Sequence, residues 1–240
     1  MKRLVFCPAL VSLLILSGSV AYAADAGDVT LTVSGIEGVE AISSAVSGDG
    51  LVNQTLIGNY LEERDVISTS IMQDTFQDGR GILSVNQASG NINNQANVRV
   101  LAITDGEGLL QDYSLAVSTR SIKNTVIVYG GEREDRISNS FGGAVGIVGV
   151  NQSAGSLNQQ VNVLVLGIGV ALGPEVVALG DAALGETIAD NSASGSSNRA
   201  DIITDSFTGF HGIAQVNQSS GDLNILGNSV GFSFIRTNVP

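Results

Sequence analysis

Residues 146–162 read GIVGVNQSAGSLNQQVN, and near copies stand at 81–97 (GILSVNQASGNINNQAN) and 212–228 (GIAQVNQSSGDLNILGN). The central copy holds no charge and no aromatic ring. The wider blocks 72–103, 137–168 and 203–234 align without a gap, at steps of 65 and 66 residues from Asn86 to Asn151 to Asn217. Phe76, Phe141 and Phe207 coincide, as do Gly81, Gly146 and Gly212. So do Val85, Val150 and Val216, each followed by Asn-Gln: Asn86 and Gln87, Asn151 and Gln152, Asn217 and Gln218. Gly90, Gly155 and Gly221 come next, then Asn93, Asn158 and Asn224, then Asn97, Asn162 and Asn228. Self-similarity at a fixed long period is the signature of a repeat architecture.

Within one unit the pattern has period two. Leu157, Gln159, Val161, Val163 and Val165 fall on one face, and Asn158, Gln160 and Asn162 on the other. The first repeat sets Ile92, Ala96, Val98 and Val100 against Asn93, Gln95 and Asn97. Gly90, Gly155 and Gly221 lie in short turns, where a backbone with φ above zero is easily made. Each unit therefore reads as strand, tight turn, strand, with one apolar and one carboxamide face. A lone hairpin of this kind is marginal in water. Stacked on its copies, each Asn or Gln meets its own equivalent about 4.8 Å away and extends an amide ladder. The expected fold is all-β: three imperfect strand-turn-strand repeats stacked as a β-solenoid-like, cross-β unit. Its ladder is Asn86, Gln87, Asn93, Gln95, Asn97, Asn151, Gln152, Asn158, Gln160, Asn162, Asn217, Gln218, Asn224 and Asn228. Its core holds Phe76, Phe141, Phe207, Val85, Val150 and Val216.

The organisation follows from these blocks. Residues 1–23 read as a secretory signal peptide, with Lys2 and Arg3, an apolar run Leu4 to Leu16, and the cleavage site Ala21-Tyr22-Ala23. The run is too short for a membrane span, and stable membrane insertion is not expected. An N-terminal segment, 24–71, precedes repeat 1 (72–103), linker 1 (104–136), repeat 2 (137–168), linker 2 (169–202), repeat 3 (203–234) and a tail, 235–240. Val52-Asn53-Gln54 is a candidate degenerate copy of the motif, NTVIVYGG in linker 1 a strand, and GDAALGETIADN in linker 2 a short helix.

Composition bounds the chemistry. Cys7 is the one cysteine and lies in the signal segment, so disulfides, thiol chemistry and cysteine metal sites are not expected in the mature chain. The net charge is -12, and without Lys2 and Arg3 nine basic residues face 23 acidic ones, near -14. Such a surface is a poor partner for nucleic acid. Most acids lie in linkers and flanks, where they are expected to stay hydrated, and residues 131–135 (GERED) read as a solvated face. His211 stands where the other repeats have Arg80 and Val145, and reads as a solvated or packed side chain rather than a base. Asp74, Asn139 and Asp205 coincide and read as turn caps. Gly142, Gly143 and Gly146 lack the Lys-Ser/Thr of a phosphate loop. No enzymatic activity, cofactor or metal is expected.

The GVNQSAGSLNQQVN type of motif, seen around Asn151 and again around Asn86, resembles the Fap functional-amyloid subunits of pseudomonads and related bacteria. An export signal and two variable linkers between three imperfect repeats are shared features. The resemblance implies export through an outer-membrane pore and polymerisation, with itself and a related subunit, into cross-β fimbriae that stiffen biofilm and adhere to surfaces. The family's major subunit carries Cys-x-x-Cys near its C-terminus, whereas this chain ends FSFIRTNVP, a departure that fits a minor or nucleating subunit, or a distant homologue, better than the main fibre component. Ile225, Leu226 and Gly227 replace the NQA (94–96) and QQV (159–161) stretches of the other repeats, so the third repeat reads as a cap. The competing expectation is a soluble monomeric β-solenoid, an adhesin or a periplasmic chaperone for such fibres.

Overall fold

The computed structural model describes residues 17–20, 28–34, 48–104, 112–171 and 179–237. The signal-peptide features at 1–16 and 21–23, Cys7 among them, lie outside these. The described chain is all-β. Two short strands, β1 (Ser17–Val20) and β2 (Asp28–Ser34), precede three similar tiers. The first tier is β3 (Gly48–Ile57), β4 (Tyr60–Arg64), β5 (Ile67–Gln73), β6 (Arg80–Ala88) and β7 (Asn94–Thr104). The second is β8 (Asp112–Ile122), β9 (Thr125–Ser138), β10 (Val145–Ser153) and β11 (Gln159–Ala171). The third is β12 (Leu179–Ala189), β13 (Ser192–Thr204), β14 (His211–Ser219) and β15 (Ile225–Thr237).

Strands pair between tiers, not within them. β6, β10 and β14 form one parallel sheet, with Asn151 opposite Asn86 and Asn217. β7, β11 and β15 form another, with Asn162 opposite Asn97 and Asn228. β3, β8 and β12 make a third; β4 and β5 together, β9 and β13 make a fourth. The hairpin expectation is corrected here. β10 and β11 belong to different sheets, and face each other through side chains across an arch.

Three apolar clusters order the sheets. Val52 and Val117 pack on Ala96, Val98, Val161, Val163 and Val165, joining the β3/β8 sheet to the β7/β11 sheet. Met72 and Ile137 pack on Phe141, Ala144, Val148 and Val150, joining the β5/β9 sheet to the β6/β10 sheet. Leu56, Ile92, Val126, Val128 and Leu157 close the corner. The repeat strands thus form an inner pair of sheets, and the linker strands wrap them outside. In the middle tier every residue from Val148 to Val165 is buried. This explains the absence of charge in GIVGVNQSAGSLNQQVN: both faces of its strands are interior.

Four further readings are revised. GDAALGETIADN is strand β12 running into a turn, because each of its residues from Asp181 to Ala189 finds a backbone partner in β8. Val52-Asn53-Gln54 is no fourth copy; it sits on β3 opposite Val117, Ser118 and Thr119, in an outer sheet. Gly90, Gly155 and Gly221 do not carry the positive φ of the arch; Ile92, Leu157 and Leu223 do, at 52, 58 and 59°. The glycines are needed for close approach, since a Cβ on Gly155 would lie 1.7 Å from the Gly221 carbonyl oxygen. Asp74, Asn139 and Asp205 supply left-handed backbone (φ 52, 44 and 49°), which Asp and Asn tolerate, and Asn139 donates to Asp74 Oδ1 at 2.5 Å.

Candidate assembly site

The carboxamides meet their copies as aligned. Asn151 Nδ2 donates to Asn86 Oδ1 (3.0 Å), and Asn217 Nδ2 to Asn151 Oδ1 (3.0 Å). Gln152 Nε2 donates to Gln87 Oε1 (3.1 Å), and Gln218 Nε2 to Gln152 Oε1 (2.8 Å). Asn162 Nδ2 donates to Asn97 Oδ1 (2.9 Å), and Asn228 Nδ2 to Asn162 Oδ1 (3.0 Å). These columns share one polarity: the amide of the later tier donates to the earlier. Gln95 and Gln160 run the other way, Gln95 Nε2 donating to Gln160 Oε1 at 2.7 Å. Asn93 and Asn158 act differently, closing the arch. Each donates to a glycine carbonyl one tier on, Asn93 to Gly155 (2.8 Å) and Asn158 to Gly221 (2.7 Å). Their Oδ1 atoms accept from the backbone N–H of Asn158 and Asn224.

The columns are also tied across the arch. Asn162 Nδ2 reaches Val150 O and Asn151 Oδ1, each at 3.0 Å, and Asn228 Nδ2 reaches Val216 O at 3.1 Å and Asn217 Oδ1 at 2.9 Å. A buried amide left unpaired costs about 1–3 kcal/mol, so this lattice fixes register as well as adding stability. Beside it, the Phe76, Phe141 and Phe207 rings stack at 5.2 and 4.8 Å, within 12° of parallel. Their backbones hold φ of 56, 60 and 59°, a costly conformation for a bulky residue that the ring column and its apolar surroundings fix.

Sequence reasoning missed the buried charges. Arg133, in the run read as a solvated face, is interior, and forms ion pairs with Glu63 and with Asp222, both also buried. Glu63 Oε1 further accepts from Asn91 Nδ2 (2.8 Å) and Ser156 Oγ (2.7 Å). Asp222 accepts from Ser156 N (2.9 Å) and from Arg199 Nη2 (2.8 Å). Four charges, two of each sign, thus cross three tiers. Gly130 and Gly131 explain the error. Their positive φ turns β9 through a corner, so burial shifts from Val126 and Val128 to Arg133, Asp135 and Ile137. Reading one unbroken period through that corner puts Arg133 and Asp135 on the wrong face.

Asp135 is fully buried, and accepts from Ala154 N (3.0 Å) and Ser219 N (3.2 Å). Burial raises its pKa from 3.8 to about 7; the Asp201 carboxylate in the next tier adds to this, while the backbone N–H groups and Ser70 oppose it. The folded state therefore holds this proton more tightly than the unfolded chain. Stability is fully present below about pH 4 and is lost as pH rises through 7, with a slope of up to about 1.4 kcal/mol per pH unit. Asp135→Asn removes that term. In urea denaturation, the difference in stability between Asp135→Asn and the parent chain should grow in the variant's favour from pH 4 to pH 8. A constant difference would show that Asp135 does not titrate in this window.

Arg99 is fully buried too, and burial lowers its pKa to about 10. Its Nη1 donates to Val98 O (3.1 Å) and Asn162 O (3.4 Å), and its head fills the space over Gly149, where a Cβ would lie 1.7 Å from Nη2. The signal was present: Arg99 departs from Leu164 at the same repeat position, and Gly149 departs from Ser84 and Gln215. His211 is exposed, and among the described residues no group of His, Cys, Asp or Glu is placed to hold a metal.

Residues 49–235 match the sequence profile of the Functional amyloid protein FapB/FapC family. A stretch of 106 residues, 43% of this chain, is 30% identical to the functional amyloid subunit FapC of Pseudomonas aeruginosa and covers 31% of that protein's length. No solved structure matches the chain.

Proposed function

Because the chain belongs to the FapB/FapC functional amyloid family, we propose that it is an exported, self-assembling fibre subunit. Its protomer is a β-solenoid of three tiers, and the fibre is its cross-β continuation, with protomers adding along the axis of the amide columns. The observation that carries this reading is the in-register parallel stacking of the three repeats, with the Asn86/Asn151/Asn217, Gln87/Gln152/Gln218 and Asn97/Asn162/Asn228 carboxamides each bonded to their counterparts. A tier that pairs with its own copy above and below leaves strand edges at both ends. Export of residues 24–240 through the outer membrane, co-polymerisation with a related subunit, and a role in biofilm and adhesion complete the proposal.

β2 favours a second reading. It pairs antiparallel with β3 and covers that strand's outer edge, as a cap would. A protomer blunted there would serve as a soluble adhesin or chaperone. X-ray fibre diffraction on residues 24–240, kept for days at neutral pH without denaturant, separates the two. A meridional reflection at about 4.8 Å with an equatorial one near 10 Å is expected. A solution that stays clear and monomeric would replace the fibre subunit by the capped solenoid.

A further inference from the structure

One outer edge of the first tier is taken by the chain itself. β2 lies along β3, Asp28–Ser34 against Leu51–Ile57. That pairing is antiparallel, whereas each tier pairs with the next in parallel, so β2 is a strap and not a further tier. β1 covers β7 in the same antiparallel way, but lies in the segment expected to be cleaved. The other end of the stack is bare: among the described residues no strand pairs with the outer edges of β12, β13, β14 and β15. Apolar side chains surface there. Ile137 is buried, while Ile203, its counterpart one tier on, is 50% exposed, and Ile188 on β12 is 59% exposed.

The strap sits where a second copy would pair. Within the chain, Ala183–Ala189 of β12 stand opposite Ala116–Ile122 of β8, and these stand opposite Leu51–Ile57 of β3. One more such step sets Ala183–Ala189 of another copy along Leu51–Ile57, the same seven residues that β2 holds. We infer that the outer edge of β3 is a docking site for β12 of a second copy, that β2 occupies it in the free chain, and that addition to a fibre exchanges β2 for β12. The inference rests on the fibre-subunit reading; it names one strand pair of the junction and the step that gates it. β12 cannot avoid this edge, because only residues 190 and 191 join it to β13, and a tier that seats β13 on β4 and β5 must seat β12 on β3.

A second observation at this edge points to the same partner. Asn59, Asn124 and Asn191 form a further carboxamide column, at the corner that follows β3, β8 and β12. Asn124 Oδ1 accepts from Asn59 N (3.0 Å) and Asn59 Nδ2 (2.7 Å). Asn191 Oδ1 accepts in turn from Asn124 N (2.9 Å) and Asn124 Nδ2 (3.2 Å). Asn59 is buried as well, yet among the described residues its Oδ1 accepts no hydrogen bond. An acceptor left over in this way costs about 1–3 kcal/mol. β2 begins beside it, with Asp28 opposite Ile57. On a docked copy the Asn191 N–H arrives where Asn59 N–H meets Asn124 Oδ1 inside the chain, and satisfies that oxygen. The exchange also lengthens the pairing, since β12 can run along all ten residues of β3 and β2 along seven.

The test locks the strap. Thr30 and Thr55 stand directly opposite each other, and such antiparallel pairs lie about 4.5–5.5 Å apart at Cα, within disulfide reach. Residues 24–240 contain no cysteine, so Thr30→Cys combined with Thr55→Cys supplies one reversible cross-link. The parent chain, residues 24–240, must first elongate its own seeds; a parent that makes no fibres overturns the fibre-subunit reading itself. The oxidised double variant, with the circular dichroism of the parent, should extend parent seeds about tenfold more slowly than the same protein reduced. Reduction should restore the parent rate. A chain of residues 35–240, which lacks β2, should form fibres after a lag several-fold shorter than the parent's. Equal elongation by the oxidised and reduced protein would show that β2 and a second copy do not compete for β3. Failure of the pair to cross-link, or an unchanged lag for residues 35–240, would likewise remove β2 from the gate while leaving the fibre subunit intact.

Discussion

Gly155→Ala is expected to unfold the chain, although it adds one methyl group. The Cβ would lie 1.7 Å from Gly221 O, 2.5 Å from its carbonyl carbon and 2.9 Å from Asn158 Nδ2. The first two are backbone atoms of the next tier, which no rotamer change can move. Accommodation needs the second and third tiers to part locally by more than an ångström. The Gly155 N–H bond to Ser219 O (3.2 Å) and the Asn158 bond to Gly221 O (2.7 Å) would go with it. Overpacking of ordinary cores costs about 1–3 kcal/mol, and a clash against fixed backbone belongs above that range, near 4 kcal/mol or more. Gly58→Ala is the control. Gly58 has φ of 70°, and nothing lies within 4 Å of its added Cβ. It should cost only the left-handed penalty, about 1–2 kcal/mol. Far-ultraviolet circular dichroism in urea compares them; equal losses would mean that the arch relaxes around Gly155 and that tier spacing is not fixed there.

This contrast shows what kind of information the sequence held. In the structure Val161 and Val163 pack in an apolar cluster, and Asn151 stands opposite Asn86 and Asn217, the positions at which the alternation and the alignment are read. Those are local and translational patterns, and both survive in one dimension. The arch was not legible, because period two is the same whether a strand pairs with its neighbour in sequence or with its copy a repeat away. The glycines were legible as special but not in their reason, since close approach to a carbonyl 66 residues on leaves no local mark. Glu63, Arg133, Asp222 and Arg199 were hidden for a related cause. Glu63 and Arg133 lie outside the repeats, in segments whose tiers share almost no sequence, and they meet only once the chain has stacked. Burial of a charge cannot be read from its own neighbours when its partners come from other tiers.

Asn162→Asp tests the lattice where it is densest. The native amide is fully buried and has five partners within hydrogen-bond distance: the two N–H groups of its Nδ2 are shared among Asn97 Oδ1, Val150 O and Asn151 Oδ1, and its Oδ1 accepts from the Nδ2 atoms of Asn217 (3.2 Å) and Asn228 (3.0 Å). A carboxylate keeps the accepting side and turns the donating side into an anion facing three oxygens. Desolvation and repulsion act together, so the loss at pH 7.5 should exceed about 4 kcal/mol and prevent both folding and fibre growth. The sign of the pH effect follows. The introduced carboxyl has a folded pKa above its unfolded value near 3.9, so the deficit shrinks as pH falls towards 4. Protonated, it offers one donor for three acceptors, and recovery should be incomplete. Asn162→Ala separates charge from lost bonding. It leaves a small cavity and unpaired neighbours, costs roughly 2–4 kcal/mol, and should show none of this added pH dependence. Denaturation and seeded growth at pH 4.5 and 7.5 read both variants. If Asn162→Asp folded and elongated equally at the two pH values, the carboxyl would have to reach water, and Asn162 could not stand between Asn97 and Asn228 inside the arch.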